Sequence, residues 1–197
     1  MKDIDIRDAL KRRLRSCYAN DPSTLIVDEL GLRHGVVRVD VAVINGLIHG
    51  FELKSDRDTL RRLPCQMRVY NSVLDQITLV VGQRYVDIAT SLIPEWWGIM
   101  LAERGESGHL DLTEIRKPQD NLFQDILAVA KLLWRDEALS LLEEIGKAEG
   151  VRWKRRAVIY ERLAEVADPD LIRLRVRHQL RTRTNWRSVE QQTSDGD

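Results

Sequence analysis

Asp40, Glu52 and Lys54 are the residues whose types and spacing could carry chemistry, and the alternation around them says how they are arranged. Val37, Val39, Val41 and Val43 alternate with Arg38, Asp40 and Ala42, so one strand face is apolar and the other holds Asp40. After Asn45-Gly46 a second strand sets Phe51 and Leu53 against Glu52 and Lys54. A strict two-residue turn would place Val39 opposite Glu52 and put a carboxylate on the apolar face. A three-residue loop, Asn45-Gly46-Leu47 with a bulge, instead pairs Ile44 with Ile48, Val41 with Phe51, Val39 with Leu53 and Asp40 with Glu52. Two carboxylates then face each other across the strand pair, with Lys54 further along the same face. Like charges so placed destabilise a plain sheet. A divalent cation between them removes the conflict, because Mg²⁺ prefers oxygen ligands and keeps waters for a substrate phosphate. The lysine would lie beside the metal-bound water or the developing phosphorane charge. This is the chemistry of phosphodiester hydrolysis, with Mg²⁺ or Mn²⁺ as cofactor.

The elements that would position this trio read from periodicity. Ile6, Leu10 and Leu14 predict an amphipathic helix over Asp3–Cys17, ended by Asn20-Asp21-Pro22. Strands follow at Thr24–Asp28, Val36–Ile44 and Leu47–Lys54. A helix is predicted over Pro64–Leu74, with another turn before it in Asp58–Leu63, and a buried strand over Ile77–Val81. Two further strands, Trp97–Ala102 and His109–Ile115, flank the Gly105–Gly108 turn. After Pro118 the pattern is helical. The expectation is an α/β core over residues 1–118, a helical region over 119–187 and a disordered tail over 188–197.

Composition limits what the chain can be. Its 197 residues are 43% hydrophobic and carry 31 basic and 31 acidic residues, which excludes a polycationic coat and a disordered acidic chain. Cys17 and Cys65 are too few for an iron–sulfur cluster or a four-thiolate zinc site, and point to a reducing, cytoplasmic compartment. His34, His49, His109 and His178 lack metal-ligand spacing. No apolar run is long enough for a membrane span. Charge is nevertheless segregated: Gly150–Arg187 holds eleven basic residues against four acidic ones. Lys154, Arg155 and Arg156 open one helix there, and Arg173, Arg177 and Arg181 recur at a spacing of four along another. Such a face is either a platform for nucleic-acid phosphates or a solvated surface paired with acids elsewhere.

Asp40, the hairpin and Glu52-Leu53-Lys54, set in an α-β-β-β-α-β order, resemble the PD-(D/E)XK nuclease superfamily, and Gln66-x-x-x-Tyr70 resembles the extra motif of its RecB-like branch. Arg38-Val39-Asp40, Phe51 to Asp56 and Leu63-Pro64-x-Gln66-x-x-x-Tyr70-Asn71 look most like a family of bacterial and prophage-borne proteins within it. The resemblance covers the first half of the chain. It implies a restriction-endonuclease-like core with a mixed sheet, Asp40 and Glu52 as metal ligands, the Leu53 carbonyl as a further ligand and Lys54 as the catalytic lysine. Glu29 matches an additional acidic position of several branches. Val39 stands where the superfamily's name has a proline, and the four cysteines of some RecB-like nucleases are missing.

The expected function is metal-dependent phosphodiester hydrolysis of nucleic acid, DNA before RNA. The alternative is a nuclease-fold protein that binds nucleic acid or regulates without cutting. Gln66 and Tyr70 are either substrate contacts or a helix face packed on the sheet, and Trp96 and Trp97 either fill the core or stack on a base. A homodimer would suit cleavage of both strands at one locus.

Overall fold

The structure of the chain, a computed structural model, describes residues 2–105 and 108–183. The expected tail over 188–197, and Arg187, lie outside the described residues. Six strands form one mixed sheet in the order β1-β2-β3-β4-β5-β6: β1 Leu25–Leu32, β2 Val37–Ile44, β3 Ile48–Lys54, β4 Gln76–Gly82, β5 Gly98–Arg104 and β6 Leu110–Arg116. The β1–β2, β2–β3 and β5–β6 pairs are antiparallel, and β3–β4 and β4–β5 are parallel. Helices α1 Asp3–Cys17, α2 Leu63–Val73, α3 Val86–Leu92, α4 Ile126–Ala130, α5 Arg135–Glu144, α6 Arg156–Val166 and α7 Pro169–Thr182 complete the described chain.

The helices sandwich the sheet. Ile6, Leu10 and Leu14 of α1 are buried against Val41, Val43, Phe51, Leu53 and Val80. The opposite face, with Ala42, Ile44, Ile48, Leu79 and Val81, packs on Tyr70, Val73 and Leu74 and continues without a break into Ile159, Leu163, Ile172 and Val176. Parallel strands covered on both sides read as continuous apolar runs. That is the pattern of Ile77–Val81. Trp97 is fully buried and donates its Nε1–H to Asn71 Oδ1 (2.8 Å), which makes it a core residue rather than a stacking platform.

The hairpin loop is the predicted one, with Ile44 opposite Ile48 and Val41 opposite Phe51. Three features differ from the expectation. Strand β1 runs to Leu32 instead of ending at Asp28. Helix α3 and a short 3₁₀ turn over Gln83–Tyr85 occupy a segment with no predicted element. The third is the face change at Asp40, described below.

His49 shows what this packing does to a polar side chain. Its ring stacks on Phe51 (centroids 4.1 Å apart), Nε2 lies 2.9 Å from Thr78 Oγ1, and burial pushes its pKa down to about 4 from 6.5. Above pH 6.5 the ring is neutral in both states. As pH falls towards 4, the unfolded chain takes up a proton that the folded chain refuses, so this histidine lowers stability by about 3 kcal/mol by pH 4 and no further below. Denaturant titrations from pH 7 to 4 should therefore show a smaller loss in His49→Gln than in the parent. Equal slopes would contradict the assignment.

Candidate active site

The site grows from one backbone irregularity. Leu25, Val27, Leu30 and Leu32 of β1 all pack in the α2-side cluster, as do Val37, Val39, Ala42 and Ile44 of β2. The step from Val27 to Leu30 and from Val39 to Ala42 is three residues, where a regular strand alternates every two. Both strands thus change face at the same place, between the pairs Asp28↔Val41 and Leu30↔Val39. Glu29 takes up the change with a left-handed backbone, φ 55, which is costly for a residue with a Cβ.

This corrects the predicted hairpin. Val39 does not share the face of Val41, and it does not lie over Leu53, which belongs to the α1-side cluster. The β2–β3 ladder closes at Val41↔Phe51, so Asp40 and Glu52 are not a direct cross-strand pair. Strand β2 stays with β1 through its change of face and leaves β3. The Asp40 side chain fills the opening, its Oδ2 accepting the Leu53 N–H (2.8 Å) in place of a backbone acceptor.

On β3, Glu52 and Lys54 share the α2 side of the sheet, as their spacing requires, and both are buried, 1% and 6% exposed. Lys54 Nζ donates to Glu52 Oε1, and so does Gln66 Nε2 (2.7 Å). The Tyr70 hydroxyl lies 2.5 Å from Glu52 Oε2 and 2.8 Å from the Arg38 carbonyl oxygen, and Gln66 Nε2 reaches it at 3.3 Å. Gln66 and Tyr70 sit one turn apart on α2, so one helix face carries both donors to the carboxylate. Gln66 Oε1 is buried with no hydrogen-bond partner.

Arg7 of α1 is a site residue that sequence reasoning missed. Its side chain is 15% exposed and lies 3.2 Å from Asp40 Oδ1, 3.2 Å from Glu29 Oε1, 3.4 Å from Asp3 Oδ2 and 3.8 Å from Asp28 Oδ1. It also donates to the Asp40 main-chain oxygen (2.6 Å). One guanidinium therefore ties four carboxylates, and Lys11 adds a second cation at Asp28. In sequence, Arg7 was one of several charges on the outer face of an amphipathic helix, with nothing to mark it.

Electrostatically the two carboxylates are strained. Burial raises the Asp40 pKa, against the Leu53 N–H and the charges of Lys54 and Arg7. Burial and then the charge of Asp40 raise that of Glu52, against Lys54 and Tyr70. Tyr70 is pushed strongly upward by burial and by Glu52, so its phenol keeps its proton and acts as a donor. Among the described residues no cluster of three or more His, Cys, Asp and Glu side chains is arranged to hold a metal ion. What is present is a pair of mutually repelling carboxylates, bracketing the Leu53 main chain, beside an unsatisfied buried acceptor. Such an all-oxygen set fits a hard divalent cation that retains several waters.

Removing the Tyr70 hydroxyl should take away the single proton that Glu52 Oε2 and the Arg38 carbonyl share. Tyr70→Phe is expected to lose about 1–3 kcal/mol of stability, read by chemical denaturation. An unchanged midpoint would mean that the hydroxyl holds nothing.

The basic C-terminal region divides. Arg152, Arg162, Arg173, Arg175 and Arg183 are paired with Glu143, Glu165, Asp170, Glu144 and Glu137, and Arg177 donates to the Gly46 carbonyl. The predicted stripe of Arg173, Arg177 and Arg181 is thus largely committed to the fold. Lys154, Arg155 and Arg156 are exposed at the start of α6, with no carboxylate partner among the described residues, and they do not join the Asp40–Glu52 network.

A family model described as "Bacteriophage P4 protein cII" matches residues 3–194. Protein cII of Enterobacteria phage P4 is 28% identical over 75 residues, 38% of this chain, and the matched stretch spans 28% of that relative's length. A solved protein of unknown function from Silicibacter pomeroyi is similar over 79% of this chain and 98% of its own, with 19% identity and a TM-score of 0.46.

Proposed function

The chain belongs to the bacteriophage P4 protein cII family, and from the carboxylate pair held beside Lys54 we propose that it is a metal-dependent nuclease with a restriction-endonuclease-like core, acting on DNA. One observation carries the proposal. Glu52 is 1% exposed and feels the charge of Asp40, with Lys54, Gln66 and Tyr70 all directed at it. A sheet gains nothing in stability from that arrangement: buried charges cost roughly several kcal/mol each in desolvation, and apolar residues of similar volume would pack as well or better.

Asp40, Glu52 and the Leu53 carbonyl would hold Mg²⁺ or Mn²⁺, which when bound supplies Lewis-acid stabilisation at the scissile phosphate. The chain's own residues do the rest. Lys54 presents the only buried ammonium among the described residues and stabilises the charge that develops on the phosphoryl oxygens. Gln66 and Tyr70 fix the orientation of Glu52, and Tyr70 remains a donor because burial and Glu52 hold its pKa well above the usual phenol range. Arg7 holds Asp40 and Glu29 from the α1 side, so the carboxylates are preorganised before any ligand arrives. Glu29 assists from β1.

Titration of Mn²⁺ into the folded protein tests the site apart from turnover. Wild type should bind, and Asp40→Ala should lose that binding. Equal binding by both would remove the proposal.

No helix among the described residues is long and apolar enough to cross a membrane.

A further inference from the structure

A tryptophan that a soluble fold leaves in water has given up the large gain from burying its indole. Trp153 is 95% exposed, in the segment between α5 and α6. The segment is well organised. Arg135 of α5 donates to the main-chain oxygens of Arg152 (2.6 Å) and Lys154 (3.4 Å), the Lys154 N–H reaches the Val151 carbonyl (2.9 Å), and Ala148 is buried beneath. Glycines at positive φ, Gly146 (φ 69) and Gly150 (φ 78), bend the chain on either side of Ala148, ahead of Trp153. The result is a cavity of about 660 Å³ whose lining includes Trp153, Arg152 and Lys154 together with the carboxylates Glu143 and Glu149.

Charge distinguishes this place from an ordinary apolar hollow. Arg152 pairs with Glu143 (3.5 Å), whereas the next three residues after Trp153, Lys154, Arg155 and Arg156, have no carboxylate partner among the described residues. Arg156 also acts on His34, in the turn between β1 and β2, where it helps to lower the histidine pKa after burial. That turn joins the two strands that carry Glu29 and Asp40. A flat aromatic face, a cavity large enough for a base, and three adjoining exposed cations without carboxylate partners among the described residues are the parts of a single-strand platform: π-stacking that tolerates any base, with phosphates held by charge.

We propose that Trp153 stacks on a base of single-stranded nucleic acid, with Lys154, Arg155 and Arg156 taking the adjoining phosphates. The occupant is a single strand because a duplex keeps its bases stacked on one another and offers no free face to the indole. The proposal rests on the nucleic-acid reading of the carboxylate site, but it is tested without cleavage.

The experiment uses the full chain in EDTA with a fluorescein-labelled oligothymidylate of about twenty nucleotides, a length that exceeds one single-strand binding unit. Trp153→Ala should weaken binding by about 5- to 100-fold, and Trp153→Phe should recover most of it. The salt dependence of binding should be unchanged in Trp153→Ala and shallower in Lys154→Ala. Binding of a duplex of the same sequence should change little in Trp153→Ala. Oligothymidylate affinity equal in wild type and Trp153→Ala would overturn the proposal, as would an equal loss for duplex and single strand, or no binding of any oligonucleotide. Strand binding through Trp153 with no cleavage in any divalent metal would support this platform and reject the nuclease. Cleavage with binding indifferent to Trp153 would do the reverse.

Discussion

Lys54→Ala is expected to bind Mn²⁺ and substrate as wild type does and to cleave about 10²–10³-fold more slowly, the range found when one preorganised stabilising donor is removed from an active site. The reason is the placement of the ammonium. Lys54 is 6% exposed and touches Glu52, so in the proposed reaction it would not have to be ordered before it acts. Metal binding should survive, since removing a cation leaves the site more negative. Lys54→Met keeps the apolar stem and removes only the charge, so it separates lost packing from lost chemistry. The two variants should be equally slow. Activity recovered in Lys54→Met would mean that the lysine serves the fold.

Arg7→Ala is expected to lose about 3 kcal/mol of stability, the lower end of what removing one partner of a buried ion pair costs, because the guanidinium retains some exposure. Asp40, Glu29, Asp28 and Asp3 would be left to repel one another with Lys11 as the remaining nearby cation on α1. A divalent cation at Asp40 relieves part of that repulsion. Saturating Mg²⁺ should therefore raise the melting temperature of Arg7→Ala more than that of wild type, a difference read by paired thermal scans. An equal shift in both proteins would mean that no cation binds near Asp40.

How much of this was legible follows from what each signal measures. The Asn45-Gly46-Leu47 loop and the pairing from Ile44↔Ile48 to Val41↔Phe51 could be read because alternation fixes register on a half-buried sheet. The change of face at Asp40 could not. Valine stands at 37, 39, 41 and 43, so the sequence alternates evenly through a point where the backbone does not, and the cause lies on another strand, in the left-handed Glu29. Gln66 and Tyr70 were legible as a helical pair, and they do meet one target, Glu52. Arg7 was not, because its meaning depends on four carboxylates gathered from α1, β1 and β2. Helix α3 was hidden by the β-branched residues Val86, Ile88 and Thr90, which weaken a helical pattern. The charge count over Gly150–Arg187 left two readings open, and for Arg152, Arg175 and Arg183 the pairing with acids elsewhere is the one found. Glu137, Glu143 and Glu144, which pair with Arg183, Arg152 and Arg175, lie outside that window on α5.

The measurement that tests the central claim most directly is cleavage of a panel of labelled single-stranded, duplex, flapped and branched DNA, and RNA, with Mg²⁺ or Mn²⁺, using wild type beside Asp40→Ala. Wild type should cleave at least one DNA substrate in a metal-dependent reaction that EDTA abolishes and that a folded Asp40→Ala lacks. Cleavage that persists in Asp40→Ala, or no cleavage of any substrate by a wild-type protein that binds it, would mean that Asp40 and Glu52 do not form a nuclease site.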